Sequence, residues 1–251
     1  MKGIYKNMRN EKRMIRLHRK VYENESMEER HEKIMKGLSV LEAPLGLKDS
    51  EIPKTPDFGV NTLASYFTKN IRTKGVLIHG DYLWRDDYAI KHGWDILFYD
   101  FKSSYKLINY EKIIFEDLPK VIEIFDPYIA DVYIPYVGAH EEGTTPETRL
   151  YLYNQPTKNP DFNKLFEQGI RPNELGVNLF TLLPVMYFSD LMCDEVIKLS
   201  RNEIIKRLTG KAVKIESLKN GVYIIFNEKL EFPFEEFCEM NKKYKPLLDL
   251  I

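Results

Sequence analysis

Two cysteines in 251 residues, Cys193 and Cys238, exclude a disulfide framework. Each lies in an apolar setting, so buried free thiols in a reducing compartment are expected. No apolar run approaches the ~20 residues that a bilayer-spanning helix needs. The N-terminus has the positive flank of a signal peptide but not its apolar stretch, because Arg16 and His18 interrupt Met14, Ile15 and Leu17. A cytoplasmic protein without a membrane partner is therefore expected. Neither charge sign dominates: the formal net charge is −1, which gives no global basic field for nucleic acid. Glycine is too dispersed for a phosphate cradle, since Gly75, Gly80 and Gly93 fit neither G-x-G-x-x-G nor a P-loop. There is no G-x-S-x-G elbow, and neither cysteine has a neighbouring histidine to lower its pKa. A non-enzymatic protein holding no cofactor or metal is the expectation.

What the chain does contain is an ordinary globular mixture, 43% hydrophobic and 30% charged. Its length allows a large core and a single α+β domain over residues 1–251, with 1–42 as a helical N-terminal extension. Sixteen tyrosines and fourteen phenylalanines against two tryptophans point to an aromatic core or a sizeable contact surface. Charge is unevenly spread. Residues 1–20 carry eight Lys or Arg and one Glu, whereas 228–239 carry five Glu and one Lys.

Periodicity predicts the elements. Met14, Ile15, His18, Val21 and Tyr22 suggest a helix over 10–23. Ser26 and Glu29 make a capping box for a second helix, with Met27, His31, Ile34, Met35, Leu38 and Leu41 inward. Together they predict an N-terminal helical hairpin with a cationic outer face. Residues 42–58, with Pro44, Gly46, Pro53 and Pro56, read as a loop, and Asn61 as the cap of a short helix bearing Leu63, Tyr66, Phe67 and Ile71. Residues 76–79 and 93–101 read as strands, with weaker strand candidates at 104–108 and 112–116. Leu118-Pro119 opens a helix ended by Asp126-Pro127, and a strand follows at 129–134.

Beyond a polar loop at 138–146, strands are expected at 149–155 and 175–183, and helices at 161–168 and 190–208. The last would bury Leu191, Val196, Leu199, Ile204, Ile205 and Leu208. Asn220-Gly221 between alternating apolar runs is a hairpin signal of the type I′ kind. Pro233 suits the first position of a closing helix with Phe234, Phe237, Cys238, Asn241 and Tyr244 on one side. Helices bracket clustered strands without βαβ alternation, which argues α+β with a mixed or antiparallel sheet.

Three kinds of site are conceivable. A metal-dependent hydrolase or nuclease would use His79, Asp81, His92 and His140, with Asp95, Glu141 and Glu142 nearby, although the spacings match no ligand pattern. A nucleic-acid module would use Lys12, Arg13, Arg16, Arg19 and Lys20 of the basic N-terminal helix, for which a solvated cationic face is the commoner explanation. Two loops suit contact instead. Residues 81–88 gather Trp84, Asp86 and Asp87 with Tyr82, Arg85 and Tyr88, a hot-spot composition. Residues 136–147 carry His140, Glu141 and Glu142, in a loop of the kind that usually bears binding function.

Four ordered blocks resemble the immunity protein 52 family of bacterial polymorphic toxin systems. HGWDILFYD at 92–100 is similar to that family's Gly-aromatic strand, and FDPYIADV at 125–132 to its acid-Pro-x-x-Ala segment. RPNELGVNLFT at 171–181 is similar to its Leu-Gly-x-x-x-aromatic strand, although Val177 stands where the family has tryptophan. NGVYIIFNEKLEFPFEEFCEMNKKY at 220–244 is similar to its closing strand, turn and helix. The resemblance implies an immunity-like core over 60–250. It also implies a cytoplasmic antidote to a toxin delivered by type VI secretion or a related system. The partner would be a nuclease of restriction-endonuclease fold, bound stoichiometrically. The composition of the 81–88 and 136–147 loops, not the resemblance, makes Trp84, Asp86, Asp87, His140, Glu141 and Glu142 the candidates for that contact.

Overall fold

The computed structural model describes residues 12–56, 64–66, 71–83, 85–133 and 182–250. The chain divides into two compact units, residues 1–130 and 131–251, and each combines helices with antiparallel strands. Among the described residues no helix is long and apolar enough to cross a membrane.

The first unit opens with β1 (Lys12–Lys20), followed by α1 (Met27–Leu38), β2 (Ala64–Tyr66), β3 (Ile71–Thr73), β4 (Val76–Leu83), α2 (Asp87–His92) and β5 (Trp94–Lys102). Its strand order is β2–β4–β5–β1, with β3 also paired to β4. The expected N-terminal helical hairpin is thus corrected: its first arm is a strand. Arg13, Ile15, Leu17 and Arg19 alternate along β1 and are all buried, a period of two that a helix would scatter. β5 supplies a partner for every residue, from Lys12 opposite Lys102 to Lys20 opposite Trp94. The expected cations divide with the strand: Arg13 and Arg19 lie inside, and Arg16 and Lys20 are half-buried on the other face.

The second arm forms as expected. Ser26 Oγ accepts from the Glu29 N–H at 3.1 Å, and Glu29 Oε2 accepts from the Ser26 N–H at 3.0 Å. Met27, His31, Ile34, Met35 and Leu38 are buried, and so is Arg30, which no apolar stripe announces. The short helix expected after Asn61 is corrected by β2 and β3, while residues 57–63 and 67–70 lie outside the described set.

The weak strands expected at 104–108 and 112–116 are also corrected. Turns fill the first, and helix begins at Tyr110, where the Asn109 side chain accepts from the Lys112 N–H at 3.0 Å. A short turn at Tyr110–Lys112, a π-turn at Ile113–Asp117 and α3 (Leu118–Phe125) run on without a break. The cause is Pro119, whose ring clashes with the carbonyl four residues back and which has no N–H to donate. The wider turn before it lets the Leu118 N–H reach the Ile113 carbonyl, and the extra residue keeps Ile113, Ile114, Leu118, Val121, Ile122 and Phe125 buried. Asp126, at φ 53°, ends α3 as expected, and β6 (Ile129–Tyr133) crosses the boundary between the units.

The second unit contains β7 (Val185–Ser189), short helical turns at Asp190–Met192 and Cys193–Ile197, α4 (Arg201–Leu208), β8 (Lys214–Leu218), β9 (Gly221–Ile225) and α5 (Phe234–Tyr244). Here the order is β7–β9–β8. The helix expected over 190–208 is broken: Lys198 takes φ 60°, and Ser200 with Glu203 caps a fresh start. The break shifts the helical face, so Leu191 is 39% exposed while Leu199, Ile204 and Leu208 stay buried.

The hairpin forms, but its loop is Lys219-Asn220 and neither residue has a positive φ. Gly221 is required for a different reason: a Cβ there would run into the Phe188 carbonyl and the Tyr187 ring. Pro233 sits one position earlier than expected, as the cap of α5. Buried Asn241 on that helix satisfies the chain entering β7, accepting from the Leu182 N–H at 2.7 Å and donating to the Leu182 carbonyl at 2.9 Å. The loop at 138–146 and the elements expected at 149–155, 161–168 and 175–181 lie outside the described residues.

His18 is only 6% exposed, set edge-on against Trp94 and Phe98 at 6.5 and 6.0 Å, with neither ring nitrogen hydrogen-bonded among the described residues. Burial first, and the Arg16 charge second, press its pKa from 6.5 down to about 3. The unfolded chain therefore binds a proton that the folded chain refuses, and stability falls as pH drops below 6.5. From pH 7 to pH 5 this one group should cost about 2 kcal/mol. Urea unfolding at the two pH values should show the loss in the wild type and a clearly smaller loss in His18→Phe. Equal losses would remove His18 as the cause.

Candidate functional site

The loop from β4 into α2 is held from beneath. Arg85 donates from Nη1 and Nη2 to the two carboxylate oxygens of Asp95, both at 2.8 Å, and from Nε to the Glu25 carbonyl at 3.1 Å. Asp95 also accepts from the Leu83 N–H at 3.2 Å, and its side chain has no solvent exposure. Across the sheet Arg19 stands opposite Asp95 and pairs with Glu25. Below lies Tyr82, whose hydroxyl is 3.3 Å from His31 Nδ1, while His31 Nε2 meets the Pro53 carbonyl at 2.9 Å. Burial lowers the pKa of His31 and raises that of the Tyr82 phenol.

This arrangement sorts the residues that composition had grouped together. Arg85 is committed to Asp95. Asp86 is committed too: its carboxylate caps α2, accepting from the Ala89 N–H at 2.7 Å. Asp87, one residue on, is exposed and has no side-chain partner among the described residues. The Trp84, His140, Glu141 and Glu142 side chains lie outside the described residues.

On the other face of the same sheet, His79 Nε2 is 3.1 Å from Asp100 Oδ2, and its ring stacks on Phe98 at 5.0 Å. Asp81 shares that face, and desolvation raises its pKa against the opposing pull of His79. Asp100 also borders a 390 Å³ cleft with Arg72, Leu77, Phe101, Lys102 and Tyr105. A carboxylate so placed orients an imidazole, but acid–base catalysis also needs a nucleophile and donors aimed at developing charge. Among the described residues the only side-chain hydrogen bond of His79 is to Asp100. No three His, Cys, Asp or Glu residues in that set converge as metal ligands, and the side chains of His92 and His140 are outside it.

The thiols are quiet. Burial pushes Cys193 up to about 12 and Cys238 up to about 11, so neither is a thiolate near neutrality. The nucleic-acid alternative loses its helix: residues 12–20 form a strand that buries Arg13 and Arg19, while Arg16 and Lys20 are half-buried and the Lys12 side chain lies outside the described residues.

Compared with family models, with curated proteins and with solved structures, the chain matches none of them. The sequence missed the Arg85–Asp95 pair. Its one available signal was an acid in the inward register of a strand otherwise filled by Leu97, Tyr99 and Phe101. Removing the arginine leaves Asp95 buried and uncompensated, so Arg85→Met should lose about 3–5 kcal/mol. Denaturant unfolding measures this, and a change below about 1 kcal/mol would show that the pair does not hold the loop.

Proposed function

We propose that the chain is an immunity protein that neutralises a cognate bacterial toxin by stoichiometric binding in the cytoplasm. The observation that carries this reading is the resemblance of four ordered sequence blocks to the immunity protein 52 family. Three of them coincide with described core elements. Residues 92–100 are β5 and its lead-in, 125–132 turn out of α3 into β6, and 220–244 are β9 and α5. Their apolar positions, among them Leu97, Tyr99, Ile129, Val222, Ile224 and Phe237, are buried, so the shared pattern is one of frame rather than of chemistry.

On this reading the partner is a nuclease of restriction-endonuclease fold, whose active site presents metal and basic side chains. A carboxylate with no partner of its own complements such a surface better than one already neutralised. Asp87, exposed and with no side-chain partner among the described residues, is such a carboxylate in the 81–88 loop. A working antidote needs about 1,600 Å² of interface, with a few desolvated anchors carrying most of the energy.

The test is binding between the purified chain and the toxin domain encoded beside it, read by calorimetry and by rescue of cells expressing the toxin. Asp87→Lys should raise the dissociation constant about 10-fold, or ~1.4 kcal/mol, without lowering the melting temperature by more than a degree or two. Asp86→Asn keeps a capping group and should bind within about 3-fold of the wild type. If the wild type neither binds the toxin nor protects cells, the immunity reading is wrong. If it binds and Asp87→Lys binds equally well, the interface lies elsewhere.

A further inference from the structure

In the second unit β8 is the last strand of the order among the described residues, paired with β9. Terminal strands offer main-chain donors and acceptors to another chain, and proteins often guard them with proline or bulges. β8 contains no proline, and Val213 just before it is 47% exposed. Along one face run Lys214 and Glu216, whose Nζ and Oε2 lie 2.5 Å apart. Ile215 lies between them on the opposite face.

This short run is complementary to itself. A twofold axis perpendicular to a sheet sets two copies of one strand antiparallel and keeps each side chain on its own face. An axis through Lys214 opposes lysine to lysine, and one through Glu216 opposes glutamate to glutamate. Centred on Ile215, the axis places Lys214 opposite Glu216 of the second copy, and Glu216 opposite its Lys214. Opposite charges directly across a ladder stabilise the pairing, and like charges oppose it.

We infer that β8 is a self-association edge, at which two copies of this chain pair strand to strand about Ile215. The partner is a second copy because charge matches in that register and not in the neighbouring ones. The contact is shorter than a standard interface of about 1,600 Å², so the dimer is weak, with a dissociation constant on the order of 10–100 µM. This inference stands apart from the immunity reading, since it concerns the chain alone.

Sedimentation equilibrium of the full chain from about 1 to 500 µM tests it. The wild type should pass from monomer to dimer. Lys214→Glu and Glu216→Lys should each weaken the dimer by at least about 10-fold, because each sets like charges face to face across the axis. An equimolar mixture of the two variants should recover wild-type association, as an all-acidic row then meets an all-basic one. The Lys214–Glu216 contact within each chain stays broken in that mixture, so recovery has to come from the contact between chains. Circular dichroism and melting temperature check that both variants fold. A wild type that stays monomeric throughout, single variants that associate undiminished, or a mixture that fails to recover would each overturn the proposal.

Discussion

A carboxylate shut away from water must be neutralised where it lies, and in the first unit that carboxylate is Asp95. Its two oxygens take both arms of Arg85 and the Leu83 N–H, and Arg19 faces it from β1. Two segments, the β4–α2 loop and β1, thereby meet at one point on β5. The Arg85 contact with the Glu25 carbonyl extends this to the chain entering α1. Replacing such a pair with apolar groups of similar volume is often neutral or stabilising, so its presence argues for positioning more than for stability. What it positions is the start of α2, with Asp86 turned inward to the helix N–H groups and Asp87 left outward.

The same buried charges explain where the sequence misleads. β4 and β5 were legible because the buried positions alternate under α1: Val76, Ile78 and Tyr82 on one strand, Leu97, Tyr99 and Phe101 on the other. β1 obeys the same alternation, yet two of its four inward positions are Arg13 and Arg19. A pattern scored by hydropathy sees only Ile15 and Leu17 there, and the remaining apolar residues then fit a helical period. β7 hid for the opposite reason. Every residue from Val185 to Ser189 is buried, so neither face shows a polar signal. Where the signal was local chemistry, as in Ser26 with Glu29 or the stop at Asp126, the elements formed where expected.

Glycine and proline were legible as punctuation but not always for the right cause. Gly221 is needed because β7 crowds it, and the loop beside it turns without a positive φ. Pro119 was read as opening a helix, and α3 does begin at Leu118, but a π-turn shaped by the same proline runs into it without a break. In both places the residue type announced a constraint, and only the neighbouring element determined which constraint it was.

The candidate site was legible as a segment and not as individual side chains. Composition placed Arg85, Asp86 and Asp87 in one charged loop, and a surface chosen on that basis would have treated them alike. Their partners separate them, since a charge already met by a guanidinium or a helix N-terminus gains little from a second protein and is costly to displace. Only a charge whose present companion is water can exchange that companion for a partner at an interface. Asp87, exposed and with no side-chain partner among the described residues, is the candidate for such a group. Lys214 and Glu216 form an intermediate case, a half-exposed ion pair whose charges already touch each other within the chain. Contact residues on this protein are therefore better chosen by what each charge already touches than by how many charges a segment holds.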